Sequence, residues 1–365
     1  MLCLVAILFP FISAVSILEG VKAQSRLSVE EGADIYVTMD MYGRNGMIPI
    51  GMVDEIEKIE GIVKAVPRVI SRLYVEGRLA VLLGLPLPEL KQTVNFIRGS
   101  LPEAGEVVIG KGMADALGLD IGGHISLGVR IIAIADHIPY IEKKVYRISG
   151  IFDSDSGIWT SNLVLVDIYD AIAIFGMEDF VSDIAVFVRP GYEVPLTEGI
   201  QKINSYFRIQ TKGLAKTYVE KGFNKKGGVF VALYTLAFAL AIPSLLVVSG
   251  VGLSERRRET GILKATGWQT YEVLEMVFFE NVIIALTSAP LALILSYIWI
   301  NLFNGFFIVQ IFIAGIGSMV PFKVPARFMP LPFMFSFFFA LILILAGSIY
   351  TTWRASIVPP SEAMR

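Results

Sequence analysis

Four stretches of this sequence carry no charged side chain, and they limit what the chain can fold into more than any other feature. They are residues 1–18, 229–253, 281–322 and 329–353. A helix needs about 20 apolar residues to cross the hydrocarbon of a bilayer. The second and fourth stretches have 25 residues each and the third has 42, while the first, at 18, is marginal. Residues 19–228 have ordinary soluble composition instead. Averaged over the 365 residues, 18% are charged, against about 25% for a typical soluble domain, and the mean hydropathy is +0.66. The pattern predicts a soluble domain inserted into a membrane anchor. The net charge of −2 says nothing about nucleic acid, but no basic domain is visible, and no nucleic-acid partner is expected. A single cysteine, Cys3, excludes a disulfide framework.

The third stretch is too long for one span. At about 1.5 Å per residue, such a helix would be roughly twice the hydrocarbon thickness. Either it holds a single span, 276–300, followed by an outer loop or interfacial segment, or it is a hairpin of two spans turning at 301–305. Gly315, Gly317 and Pro321 favour the first. Four basic residues in 254–268 (Arg256, Arg257, Arg258 and Lys264) place that stretch on the cytoplasmic side. Lys22 and Arg26 after the first stretch, and Lys221, Lys225 and Lys226 before the second, weigh against this orientation. Residues 1–23 also permit a cleaved signal peptide ending at Val21-Lys22-Ala23, but the positive n-region of a signal is missing. That missing basic lead-in also raises the expectation that the native chain extends beyond Met1.

The stretch SERRRETGILKATGW, 254–268, reads as a short amphipathic helix. Ser254 is the expected cap, Glu255 suits the first turn, and Gly267 is placed to end the helix. Ile262, Leu263 and Thr266 make a short apolar stripe. Arginines at a membrane boundary can simply meet anionic headgroups. A helix with such a stripe can also dock on a soluble partner.

These residues resemble the FtsX/MacB-type permeases of ABC transporters. That pattern runs Glu-Arg-x-x-Glu-Ile-Gly-(Ile/Val)-x-(Lys/Arg)-Ala-x-Gly. It is matched at Glu255, Arg256, Glu259, Gly261, Ile262, Lys264, Ala265 and Gly267 and departs from it at Thr260, where isoleucine is usual. The ending TTWRASIVPPSEAMR resembles the family's C-terminal motif at Arg354, Ala355, Ser356, Pro360, Glu362, Ala363 and Arg365. Four segments of the soluble region, EGADIYVT (31–38), IEGIVKAVPRV (59–69), 110–128 and 145–171, look like the family's extracytoplasmic domain.

The resemblance implies a polytopic α-helical membrane protein of four TM helices, both ends inside, with an inserted α+β extracytoplasmic domain of one or two lobes. The expected division is 1–20 (first span), 21–226 (extracytoplasmic domain), 227–253 (second span), 254–272 (cytoplasmic coupling helix), 273–300 (third span), 301–328 (outer loop or interfacial segment), 329–352 (fourth span) and 353–365 (cytoplasmic tail). It implies a cytoplasmic (cell) membrane location and a separate cytoplasmic ABC ATPase that holds ATP and Mg. This chain itself is expected to bind no cofactor. The P-loop pattern G-x-x-x-x-G-K-[ST] does not occur in it. The nearest approach, 212–217, has Ala215 before the lysine and Gln210 where the first glycine belongs.

Other chemistry is thinly supported. His124 and His137 are the only histidines and lack a third ligand at zinc spacing. Asp153-Ser154-Asp155 would open a calcium loop whose twelfth position is Val164 rather than glutamate. Ser154, Ser156 and Ser161 have no base nearby in sequence. Glu280 enters the third span near its inner end, where a structural role is expected. Four spans cannot enclose a wide channel, so a homodimer is expected; Ser249, Gly250 and Gly252 would permit close packing, and Pro243 and Pro290 predict kinks. The expected mechanism is mechanotransmission: ATP-driven closure of the ATPase pair pushes 254–266 and moves the outer domain. Gly261 would let the ATPase approach closely, with charges pairing across the interface. The cargo would be a peptide, drug or lipid-linked molecule, with an extracytoplasmic adaptor or substrate protein as a further partner besides membrane lipids. The alternative is an FtsX-like transmembrane regulator that activates an extracytoplasmic cell-wall enzyme.

Overall fold

In a computed structural model of the protein, the described residues are 1–132, 140–251, 253–313 and 315–357. The chain divides into two units. An α+β unit comprises Lys22–Lys221 and Ile313–Lys323; a helical unit comprises Met1–Val21, Gly222–Phe312 and Val324–Arg365.

Helix α1 (Leu2–Glu30) contributes residues to both units. The α+β unit then sets out β1 (Ile35–Met41), β2 (Arg44–Gly46), β3 (Ile48–Pro49) and α2 (Met52–Glu57). Strands β4 (Ile62–Val75) and β5 (Arg78–Leu85) form a hairpin. Its turn places Glu76 and Gly77 at φ of 47° and 80°, the left-handed pair that a two-residue hairpin loop demands. Next come α3 (Leu87–Thr93), β6 (Asn95–Gly99), β7 (Glu106–Gly110), α4 (Lys111–Leu117), β8 (His124–Ile132) and β9 (Tyr140–Asp153). Then follow α5 (Gly157–Asn162), β10 (Leu163–Asp167), α6 (Ile168–Phe175), β11 (Phe180–Val181), β12 (Asp183–Val188), α7 (Pro195–Ile203) and β13 (Phe207–Thr211).

Eleven of these strands, among the described residues, make one sheet in the order β13-β1-β12-β4-β5-β10-β7-β9-β6, with β2 on β1 and β8 on β4 and β9. The 14-residue β4 joins its two halves: residues 62–68 pair with β12 and residues 69–75 with β5. The β5–β10 and β7–β9 pairs are parallel and the rest antiparallel. Central strands are buried on both faces. In β10, Val164 and Val166 join the larger core, while Leu163 and Leu165 join a smaller core on the opposite face. The larger core includes residues from α2, α4, α6 and α7. The smaller face is served by Leu90 of α3.

Residues 313–323 belong to this unit although they lie far along the chain. Met319 bridges Leu79 of β5 in parallel, and Val320 is fully buried in the larger core.

The helical unit contains most of α1 together with α8 (Lys212–Val251), which starts in the α+β unit, α9 (Leu253–Ala265), α10 (Thr270–Phe303), the single turn α11 (Val309–Phe312) and α12 (Pro330–Ile357). The long uncharged stretch breaks after Phe303, where Asn304 and Gly305 take φ of 52° and 65°. The rest of it forms α11, a 3-10 turn (Ile316–Ser318) and extended chain, so the hairpin of two spans is not formed. Over the described residues, α1 and α10 are long and apolar enough to cross a membrane, and α12 has a shorter apolar stretch, Pro330–Ile342. Pro290 sits inside an unbroken α10. Pro243 and the small residues Ser249 and Gly250 fall within α8, and Gly252 lies outside the described residues.

The helices meet large against small. Leu4, Val5, Leu8 and Ile12 of α1 pack with Ala285, Ala289 and Ala292 of α10 and Ala340 of α12. Small residues let backbones approach closely where lipid supplies no hydrophobic drive. Ser296 Oγ contacts the Phe9 carbonyl at 3.1 Å, and Asn281 Nδ2 donates to Ser348 Oγ at 2.6 Å, tying α10 to α1 and α12. Ile283, Leu286, Ile294, Tyr297, Phe338 and Ile342 point outward and are exposed, the inverse of a soluble protein's pattern.

Candidate functional site

The motif stretch forms α9, which packs against α12 and α10. Ser254, the expected cap, falls in the first turn of this helix (Leu253–Ala265), and its side chain lies outside the described residues. The end follows the sequence. Gly267 takes φ of +101°, its N–H donates to Lys264 O at 3.1 Å, and the Trp268 N–H reaches back to Leu263 O at 3.1 Å. That pair of bonds is a Schellman motif, which satisfies carbonyls the helix end would otherwise leave open. One residue later Gln269 caps α10 in a reciprocal box. Its N–H donates to Glu272 Oε2 at 2.7 Å, and its side chain accepts from the third helical backbone N–H. The bend between α9 and α10 is therefore fixed by hydrogen bonds at both helix ends. The Gln269-x-x-Glu272 spacing signalled this box, and the sequence reading passed over it.

The motif residues do not all face one way. Arg258 and Glu259 are exposed, Ile262 is 49% exposed, and Ala265 and Gly267 are exposed. Lys264 is half-buried. Thr260 and Gly261 are buried within the helical unit. Gly261, expected to let the ATPase approach closely, is thus an internal position within this chain. Thr260, the departure from the family pattern, is likewise an internal residue. Glu255 and Arg256 fall in the first turn of α9 and Arg354 in the last turn of α12, but their side chains lie outside the described residues. Pro360, Glu362 and Arg365 lie outside them entirely.

Lys212–Thr217, the nearest approach to a phosphate loop, opens α8 as helix. Lys212 pairs there with Asp34 at 3.2 Å and Lys216 with Glu30 at 3.1 Å. Asp153 accepts the Ser154 N–H, and Ser154 Oγ accepts the Ser156 N–H, a turn leading into α5. His124 stands on β8 opposite Arg147 of β9, and His137 lies outside the described residues. Among the described residues no group of three metal-ligating side chains converges. Glu280 is exposed on α10.

Two family descriptions divide the chain between them. The MacB-like periplasmic core domain matches residues 1–200, and the FtsX-like permease C-terminal domain matches residues 231–360. The chain belongs to the FtsX/MacB-type permeases of ABC transporters. As a member of this family it is a membrane permease whose α+β unit is the extracytoplasmic domain. An uncharacterized ABC transporter permease of Methanocaldococcus jannaschii is 26% identical over 184 residues. That match covers 46% of this permease and 43% of the relative's length. Two solved structures are each similar to about half of the chain. The periplasmic region of MacB from Actinobacillus actinomycetemcomitans is 15% identical, with a TM-score of 0.38, over 52% of this chain and 94% of that one. The extracellular domain of the noncanonic ABC-type transporter YknZ from Gram-positive bacteria is 10% identical, with a TM-score of 0.36, over 49% of this chain and 100% of that one.

Proposed function

We propose that this permease spans the membrane four times, through α1, α8, α10 and α12, and couples a separate cytoplasmic ABC ATPase to motion of its α+β domain. The observation that carries this reading is α9. It presents Glu259, Ile262 and Ala265 to solvent, and hydrogen-bonded corners brace its exit into α10. An exposed isoleucine among charges, on a helix that cannot swivel freely, suits a docking surface. The ATP and Mg are then the partner's, and α9 is where force enters. Three connections support an outward path for that force. Helices α1 and α8 each contribute to both units, and the α10–α12 connection gives Met319 and Val320 to the α+β domain. Two copies of the chain make the working permease, and the α+β domain handles a peptide, drug or lipid-linked cargo.

The test is ATP turnover in nanodiscs by the ATPase that co-purifies with the chain. Glu259→Arg and Ile262→Glu both lie on the exposed face and should leave the helical fold unchanged. Each is expected to lower permease-dependent turnover at least about tenfold, the effect of losing a centrally placed interface contact. Turnover equal to wild type in both variants would overturn the docking role of α9.

A further inference from the structure

The α+β sheet is unequally covered. The residues packed on its larger core come from four short helices, whereas the opposite face is served by α3 and leaves a cleft of about 260 Å3. A cleft on that scale suits an alkyl chain or a ring rather than a folded partner. The floor is aliphatic, from Val66, Leu83, Leu85, Leu163 and Leu165, each under 9% exposed. Trp159 and Phe187, exposed at 40% and 37%, also line the cleft, and Lys64 Nζ already lies 6.0 Å from the Phe187 ring, which leaves Trp159 as the ring for a ligand cation. An apolar floor with aromatic edges is the usual make-up of a small-molecule site.

The charges around the cleft select its ligand. Arg68 lines it, but its guanidinium is bound by both oxygens of Asp183, at 2.7 and 2.9 Å, and stacks 4.4 Å from the Tyr36 ring. It is not available to a ligand anion. Glu89 is paired with Lys64, and Asp153 lies 3.8 Å from Lys111. Glu30 and Asp34, on either side of Glu31, are paired with Lys216 and Lys212. Glu31 remains: it lines the cleft, is exposed, and has no ion pair among the described residues. One uncompensated carboxylate beside an aromatic-edged apolar cleft attracts a monocation and repels an anion.

We infer that this cleft binds an amine-bearing amphiphile, its apolar body on the leucine floor and its ammonium between Glu31 and the face of Trp159. The inference rests on the permease reading above and names the substrate class of its α+β domain. Small apolar cations would be taken, and fatty acids of equal length refused.

The test uses the full chain in nanodiscs, titrated with octylammonium, octanol and octanoate while tryptophan emission is followed. The Trp159→Phe variant keeps Trp268, Trp299 and Trp353 and so reports any partition into lipid. A saturable change that disappears in Trp159→Phe is expected, with octylammonium strongest and octanoate weakest. A surface ion pair supports roughly a two- to fivefold preference over octanol. Glu31→Lys, at an exposed position, should invert the order so that octanoate binds best. A change that persists in Trp159→Phe, no saturable change, or an order that Glu31→Lys leaves alone would each overturn the inference. Turnover by the α9 variants does not depend on the cleft. Uncoupling there without amine binding would leave the permease standing and remove only the ligand; binding without uncoupling would do the reverse.

Discussion

Arg68 and Asp183 are 115 residues apart in sequence and meet with side chains only 14% and 13% exposed. Burial lowers the guanidinium pKa, but the charge and hydrogen bonds of Asp183, joined by those of Tyr36, outweigh it, so the net shift is upward. Removing one partner strands the other in a poorly hydrated site. Arg68→Met is therefore expected to cost about 3–5 kcal/mol, whereas the double variant Arg68→Met, Asp183→Leu should recover most of that loss. Urea unfolding of both variants checks it, and additive losses would show that the two residues act separately. A second residue-scale constraint is Gly20 of α1. A Cβ there would lie 2.3 Å from the Pro325 carbonyl oxygen, and Arg327 N–H donates to Ser16 O at 2.9 Å. The chain returning to α12 thus lies against α1 at a place that only glycine permits.

At the scale of elements, α9 shows how a helix is held at both ends of a corner. Gly267 has the left-handed φ that closes it, and the Trp268 N–H is the reporter of that closure. Gly267→Ala should cost about 1 kcal/mol through the positive φ alone. It should speed exchange of the Trp268 amide by roughly fivefold. Unchanged exchange would mean that the corner does not depend on this glycine. The α9 motif was legible because helix ends and capping boxes are local: Gly267 and Gln269-x-x-Glu272 declare them within a few residues. The inner and outer faces of α9 were not legible. Thr260 and Gly261 face their own unit while Glu259 and Ile262 face out, and which side is inner depends on where α10 and α12 lie. The strands behave similarly. The β4–β5 turn can be read from Glu76-Gly77, but the parallel pairing of β10 with β5 joins residues some 80 positions apart and leaves no local mark.

At the scale of the whole molecule, the tie between Leu79 and Met319 is the contact with the widest reach, because it attaches the α10–α12 connection to the α+β domain. Cys3 is the only cysteine, so a Cys3→Ser chain carrying Leu79→Cys and Met319→Cys can be probed cleanly. A short bis-methanethiosulfonate cross-linker, which loses methanesulfinate as each cysteine thiolate attacks, is expected to close that pair within the chain, with the cross-linked band appearing without denaturant. Its absence would mean that residues 313–323 leave the domain in the membrane-bound protein. The sequence by itself determined that there are long apolar helices and a soluble insert, because lipid imposes its demand on contiguous residues and a run without charge is visible directly. It also determined the family, through motifs confined to short stretches. Tertiary structure alone decided that the end of the third uncharged run, from Ile313, joins the α+β unit with Val320 in its core, that Arg68 meets Asp183, and that one face of the sheet stays open over a leucine floor. Each of these depends on contacts between residues far apart in the chain, and such contacts are fixed by packing and register rather than by any neighbouring residue.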